Sequence, residues 1–224
     1  MRKKLFIFGA GNFAEMAHYL FTTDSSYEVA GFTVDSQFLD RDTFKGLPVI
    51  AYEELRSRAR RDEVAVFVAL GVAKINTVRA MKVAQVTADG FTLASFVSSH
   101  ARVPPDLLLF PNTMIMDQVN IHPQVRIGAN TVLWSNTRVA LKVRIGSHAW
   151  ITSAVIGDSS SIGDYTFIGI NATIAPFVQV GSHNLIGAAA VILRDTKDYE
   201  VYKGQRSVAS RVSSLRIRNM SLIH

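Results

Sequence analysis

An aliphatic residue recurs at every sixth position from Val103 to Ile192, and this period constrains the fold more than any other feature of the chain. The series runs Val103, Leu109, Ile115, Ile121, Ile127, Leu133, Val139, Ile145 and Ile151, then Ile156, Ile162, Ile168, Ile174, Val180, Ile186 and Ile192. One step, from Ile151 to Ile156, is a residue short. Neither the two-residue period of a strand nor the 3.6 of a helix fits. A hexad that makes one short strand and one corner does, so the stretch reads as a β-helix of three flat faces in which residues eighteen apart stack. The aliphatic residue is expected to fill the axis. A small or β-branched residue four later, as at Thr131, Thr137, Ala149, Thr166, Ala172 and Ala190, would fit where the faces converge. Gly often follows the aliphatic residue directly, from Gly128 to Gly187, and is expected to permit the tight corner. On this reading Arg126 and Arg144 stack on one face, as a solvated ladder or an anion-binding stripe, and Asp158 and Asp164 are corner residues. A residue dropped between Ile151 and Ile156 must be absorbed at a corner, and such irregularities often lie near functional clefts.

The preceding hundred residues alternate strand and helix. Lys3 to Phe8 reads as a buried strand, and Gly9-Ala-Gly-Asn-Phe-Ala14 as a turn opening a helix over Glu15 to Phe21. This is a G-x-G-x-x-A pattern, in which the first Gly permits the turn, the second lets a phosphate approach backbone N–H groups, and the small third residue packs helix on strand. A second strand, Tyr27 to Val34, ends in Asp35, placed where such folds hold a ribose hydroxyl. A helix over Glu53 to Arg60, a strand over Val64 to Leu70, a helix over Lys74 to Ala88 and a strand over Phe91 to Val97 complete a small parallel sheet with helices outside. Ligands bind beyond the C-terminal ends of such strands. Gly9, Gly11, Asn12, Phe13, Asp35, Lys74 and Asn76, on the three loops found there, are the candidate substrate-binding residues. A bare turn, an NAD-type cofactor and a nucleotide or nucleotide-sugar phosphate are the competing readings, the last preferred because the β-helix that follows is no usual partner for hydride transfer. The boundary falls near Ser98 and the Pro104-Pro105 pair, the hexad period breaks at Asp195 to Asp198, and a basic segment, helical from about Ser213, closes the chain. The expected division is 1–98, 99–198 and 199–224.

Composition narrows the function. The chain has 224 residues, 48% of them hydrophobic, and no apolar run near the roughly 20 residues of a membrane helix. It has no Cys, so disulfides and Cys-ligated metals are excluded, and no metal-ligand spacing appears. The Met1-Arg-Lys-Lys start leads through too short an apolar run for a signal segment, so a cytoplasmic protein is expected. The formal charge is +6. Basic residues are not interleaved with aromatics, which disfavours nucleic acid and favours a phosphorylated small molecule.

The two halves together resemble the hexapeptide-repeat sugar O- and N-acyltransferases of bacterial surface-polysaccharide synthesis, relatives of the bacillosamine-pathway and perosamine N-acetyltransferases. The resemblance rests on Gly9-Ala10-Gly11, Val68-Ala-Leu-Gly71 with Asn76 and Arg79, Phe110-Pro-Asn112, Leu133-Trp-Ser135 and Phe167-Ile-Gly-Ile-Asn-Ala-Thr-Ile174. It implies an α/β Rossmann-like domain followed by an all-β, left-handed parallel β-helix, a homotrimer without membrane or nucleic-acid partners, and acetyl-CoA as co-substrate in a cleft between prisms. It implies a nucleotide-linked sugar on the Gly9 to Phe13 loop, pantetheine along Gly169, Asn171 and Ala188, and CoA phosphates near Lys203 and Arg206. The base of that family is a His four residues before an Ile-Gly. Here the matching Ile145-Gly146 is preceded at that distance by Leu141, followed by Lys142. Three explanations compete: an amine acceptor that needs no base, a substitute His (His148 first, then His122 and His183), or a silent scaffold that binds sugar or CoA. His148, as base, and Lys142, as oxyanion or phosphate partner, are the candidate catalytic residues. An O-acetyltransferase using the substitute base is the variant of the second explanation.

Overall fold

The structure, a computed structural model, describes residues 2–209, 211, 213 and 216. A six-stranded sheet forms the N-terminal unit, built from β1 (Lys4–Phe8), β2 (Glu28–Val34), β3 (Thr43–Phe44), β4 (Leu47–Ala51), β5 (Val64–Val68) and β6 (Thr92–Leu93) in the order β3-β4-β2-β1-β5-β6. All pairs are parallel except the β3–β4 hairpin, which the sequence reading did not assign. β5 is buried along its whole length, as a central parallel strand covered on both sides must be. Helices α1 (Asn12–Thr23), α2 (Tyr52–Arg58) and α3 (Thr77–Ala88) cover the sheet, and Phe13, Ala14, Ala17, Leu20 and Phe21 form the apolar stripe by which α1 does so. The single strand expected over Phe91–Val97 divides. Thr92–Leu93 pairs with β5, whereas Phe96–Val97 pairs with Met114–Ile115 and so belongs to the next unit.

From there the chain winds as a left-handed parallel β-helix. Its first face is a seven-stranded sheet from Phe96–Val97 to Val201–Tyr202, its second runs over five strands from Asn120–Ile121 to Val191–Ile192, and its third over four from Arg126–Ile127 to Gln179–Val180. From Ile115 onward every residue of the sixth-position series lies in one continuous core. The small residues four later are buried as expected, Thr131, Thr137, Ala149, Thr166 and Ala172 at 0% exposure. The shortened step leaves register intact, since Arg138–Val139 pairs with Val155–Ile156, and the missing residue is taken up at the corner around Ser153.

Two expectations about the coil are corrected. The left-handed corner position lies three residues after the inward aliphatic residues from Leu109 to Ile186, two after Ile151, and side chains such as Asn130, Lys142, His148, Tyr165 and His183 occupy it with φ between 56° and 65°. The glycines that follow the aliphatic residues have no positive φ; they are required by close approach instead. A Cβ on Gly163 would lie 2.5 Å from Gly181 C and from Ser182 N of the next coil. Both are backbone atoms fixed by the ladder, so Gly163→Ala is expected to lower stability by about 1–3 kcal/mol in urea unfolding. The coil also ends later than the period suggests. Asp195, Thr196 and Asp198 accept backbone N–H bonds from Gln179, Gly181 and Ser182, finishing the third face, and Val201–Tyr202 then adds a last strand to the first face. The helix expected from about Ser213 falls largely outside the described residues.

Candidate functional site

The first face of the prism packs directly against the N-terminal unit. Met114, Val132 and Trp150 precede inward residues on that face and are buried in the same core as α1 and β5. Phe13 is the pin of this contact, its ring 4.8 Å from Trp150 and 6.1 Å from Phe67 between centroids. Phe13 is only 8% exposed, so it holds α1 on the coil and offers little surface to a ligand. Around it a cavity of about 690 Å³ opens between the Gly9 to Phe13 loop, Ala69 to Val72, and a wall of Trp134, Trp150, Thr152 and Phe167. Gly9 sits at φ 123°, where a Cβ would meet the Ala69 carbonyl at 2.9 Å, and nothing approaches within 4 Å of a Cβ on Gly11. The first glycine thus closes the turn, and the second leaves the N-terminus of α1 open to the cavity. The aromatic wall was legible only as bulky residues beside inward Leu133, Ile151 and Ile168, positions for which the hexad pattern sets no requirement.

The other candidate substrate residues separate. Asp35 accepts a 2.6 Å hydrogen bond from Lys82 Nζ of α3, an ion pair the sequence reading did not anticipate. Lys74, at φ 48°, is exposed on the loop before α3. Asn76 is completely buried: its Nδ2 donates to the Tyr165 carbonyl at 3.0 Å and its Oδ1 accepts from Arg79. Its contribution is to dock α3 onto the coil.

Arg79 is the hub of that docking. It has 0% exposure and, among the described residues, no carboxylate partner. Its guanidinium donates to Asn76 Oδ1 (2.9 Å), Asn130 Oδ1 (3.0 Å), and the carbonyls of His148 (3.1 Å) and Asn130 (3.2 Å), and it lies 5.1 Å from the Trp150 ring centroid. Burial pulls its pKa down to about 9, which leaves it charged at neutral pH.

His148 belongs to the same network. The corner between the third and first faces is a ladder of left-handed residues, Asn112, Asn130, His148, Tyr165, His183 and Tyr199. Its rings stack 4.6, 4.5 and 4.7 Å apart from His148 to Tyr199. Asn112 Nδ2 donates to Asn130 Oδ1 at 2.8 Å, and Asn130 Nδ2 lies 2.9 Å from His148 Nδ1. Arg79 has donors only, so the oxygen of Asn130 must face it and the amide nitrogen must face His148. His148 Nδ1 is then the acceptor, and the neutral ring carries its proton on Nε2. Burial, and secondarily the Arg79 charge, hold the imidazole pKa below its ordinary value, against a smaller opposing effect of Asp164. The ring is a neutral donor at Nε2, an arrangement unsuited to a base.

Lys142 stands at a different corner, between the second and third faces, so His148 and Lys142 are not brought together within one chain. Beside it Leu141 is 37% exposed and donates its backbone N–H to Asp158 at 2.9 Å, while Asp164 accepts from the Ser147 N–H at 2.7 Å. Both aspartates are thus corner residues. Gly169, Asn171 and Ala188 gather near the corner between the first and second faces, and Gly204 packs on the Ala188 backbone, which brings exposed Lys203 and Arg206 to the same end of the coil. Among the described residues no group of three or more His, Cys, Asp or Glu side chains is placed to hold a metal, and no helix is long and apolar enough to cross a membrane.

The architecture has clear counterparts among solved structures. The acetyltransferase domain of PglB from Neisseria gonorrhoeae superposes with a TM-score of 0.81 at 22% identity, covering 90% of this chain and 97% of that one. PerB from Caulobacter crescentus, in complex with CoA and GDP-perosamine, gives a TM-score of 0.81 at 22% identity, covering 91% and 95%. The chain shares the fold of these sugar acetyltransferases. A second PglB structure, in complex with acetyl coenzyme A, matches at a TM-score of 0.79 and 21% identity over 91% of this chain and 97% of that one. Residues 92–198 match the family model described as the GMPPB C-terminal domain. A search of curated proteins finds no match.

Proposed function

We propose that the chain is an acetyl-CoA-dependent acyltransferase that moves an acetyl group onto the amine of a nucleotide-linked amino sugar, in the synthesis of a surface polysaccharide or other glycan. The observation that carries the reading is the cavity shared by the two units, in which the Gly9 to Phe13 loop and the α1 N-terminus open onto the first face of the coil. The neighbours of the same fold, one bound to CoA and GDP-perosamine and one to acetyl coenzyme A, support it. In this account residues 1–98 hold the nucleotide sugar and residues 99–198 the acyl donor. Gly169, Asn171 and Ala188 lie along pantetheine, Lys203 and Arg206 meet the CoA phosphates, and three cytoplasmic copies assemble so that the donor lies between prisms.

The chemistry follows from what stands at the corner before Ile145. Leu141 offers no proton acceptor, which suits an acceptor whose neutral amine is already nucleophilic. The amine nitrogen attacks the thioester carbonyl, the carbon–sulfur bond breaks, CoA leaves as the thiolate, and the ammonium proton passes to water. His148 keeps the corner ladder and the docking of α3 in place. His148→Gln, which retains an acceptor facing Asn130, is therefore expected to keep thiol release within about threefold of wild type. A fall of about 10² or more would make His148 the substitute base. The test of the proposal itself is thiol release from acetyl-CoA with UDP-, dTDP- and GDP-linked amino sugars and their hydroxyl counterparts, expected only with an amino sugar. The second reading, a silent scaffold that binds sugar or CoA, is favoured by Leu141 alone, and binding without thiol release from any sugar would select it.

A further inference from the structure

The sixth-position series fails at its second member, and the failure builds a cavity. Residues 108–109 stand eighteen before Arg126–Ile127, so a regular coil would make them a strand of the third face. The sheet of that face nevertheless begins at Arg126–Ile127. Leu108, Leu109 and Phe110 are 75%, 42% and 45% exposed. On the first face the equivalent bonds are made, Met114 and Met116 donating to the Thr131 and Leu133 carbonyls. Among the described residues no backbone bond joins 108–110 to Val125 or Ile127. The segment after Pro104-Pro105 therefore stands off the edge, leaving a cavity of about 740 Å³ bordered by Asp106, Leu108, Phe110, Arg126, Lys142 and Arg144. Lys142 and Arg144 also border an adjoining hollow of about 510 Å³ with Ser159, Ser161 and Gln179.

The charge in this cavity is unbalanced. Arg126 and Arg144 are directly opposed in the parallel ladder, which holds their backbones about 4.8 Å apart. Like charges so placed repel. Lys142 adds a third cation, Asp106 is the one carboxylate in the lining, and none of the three cations makes an ion pair among the described residues. We infer that this cavity binds a phosphate or diphosphate group that carries an apolar or aromatic body, the anion spanning Arg126, Arg144 and Lys142 and the body resting on Leu108 and Phe110. The site lies on the third face, away from the Gly9 to Phe13 loop. Two substrates of the proposed reaction have this chemistry, the nucleotide-linked sugar and coenzyme A, and the inference rests on the acyl-transfer reading only for naming them.

The experiment is calorimetric titration of UDP, GDP and coenzyme A into wild type, an Arg126→Gln/Arg144→Gln double variant, and Arg138→Gln, which removes a cation from the second face. At least one probe is expected to lose about tenfold or more in affinity in the double variant while staying within about twofold of wild type in Arg138→Gln. Loss confined to UDP or GDP assigns the site to the nucleotide sugar, and loss confined to coenzyme A assigns it to the donor. The inference is overturned if no probe binds wild type, or if the double variant binds every probe within about twofold of wild type. Should the double variant fold poorly, Lys142→Gln read against the same limits decides. Wild-type thiol release with unchanged probe affinities in the variants sinks this site and leaves acyl transfer standing. Stripe-dependent binding without thiol release from any sugar does the reverse.

Discussion

Replacing Arg79 by Met should destabilise the fold by about 2–4 kcal/mol, read as a lower midpoint in urea unfolding at an unchanged slope. The Met side chain keeps the apolar stem and the approach to Trp150. It removes the donors that Arg79 gives to Asn76 Oδ1 and the His148 carbonyl, and one of the two donors to Asn130 Oδ1, which keeps Asn112 Nδ2, around a side chain with 0% exposure. Each acceptor so stranded costs about 1–3 kcal/mol, offset in part because a buried charge without an anion is itself expensive. Arg79→Lys should recover little, because a single ammonium cannot reach partners spread over α3 and two successive corners of the coil. A Met variant within about 0.5 kcal/mol of wild type would mean that the two units are held by the Phe13–Trp150 contact and not by this network.

The second large effect separates two residues that the repeat treats alike. Ile168 and Leu109 both belong to the sixth-position series, yet Ile168 is fully buried in mid-coil and Leu109 is 42% exposed beside the third-face cavity. Ile168→Ala should cost about 2–5 kcal/mol, because coils above and below are fixed by their own ladders and cannot close over the void. Leu109→Ala should stay within about 0.5 kcal/mol. Equal losses at both positions would contradict the separation of 108–110 from Arg126–Ile127.

Most of the coil was legible because burial along a prism axis repeats strictly: Ile115, Leu133, Ile151 and Ile168 must face inward on successive turns of one face. Stacking distance was not legible. The period marks Gly163 but cannot tell whether a glycine is needed for its torsion or for the backbone lying against it. Leu109 was misplaced for a related reason: its character fits the pattern, while whether Pro104-Pro105 lets the chain join the ladder is a tertiary outcome. In the N-terminal unit the Gly9 to Gly11 turn followed from local rules, although α1 starts at Asn12, three residues before the expected Glu15, whereas the capture of Asp35 by Lys82 joins groups 47 residues apart. His148 shows the limit most clearly. Its distance from the vacant base position recommended it, but its tautomer is set by Asn130, whose orientation is set by Arg79, a residue of the other unit.

The central claim is that the chain forms an amide on a nucleotide-linked amino sugar. The direct measurement is the mass of the sugar product after incubation with acetyl-CoA, before and after treatment with hydroxylamine, which cleaves acetyl esters and spares acetyl amides. A gain of one acetyl group that survives hydroxylamine is the expected result. An acetyl group lost to hydroxylamine would place acylation on oxygen and require the base that Leu141 does not supply. No acetylated product from any amino sugar, with acetyl-CoA still bound, would contradict the account.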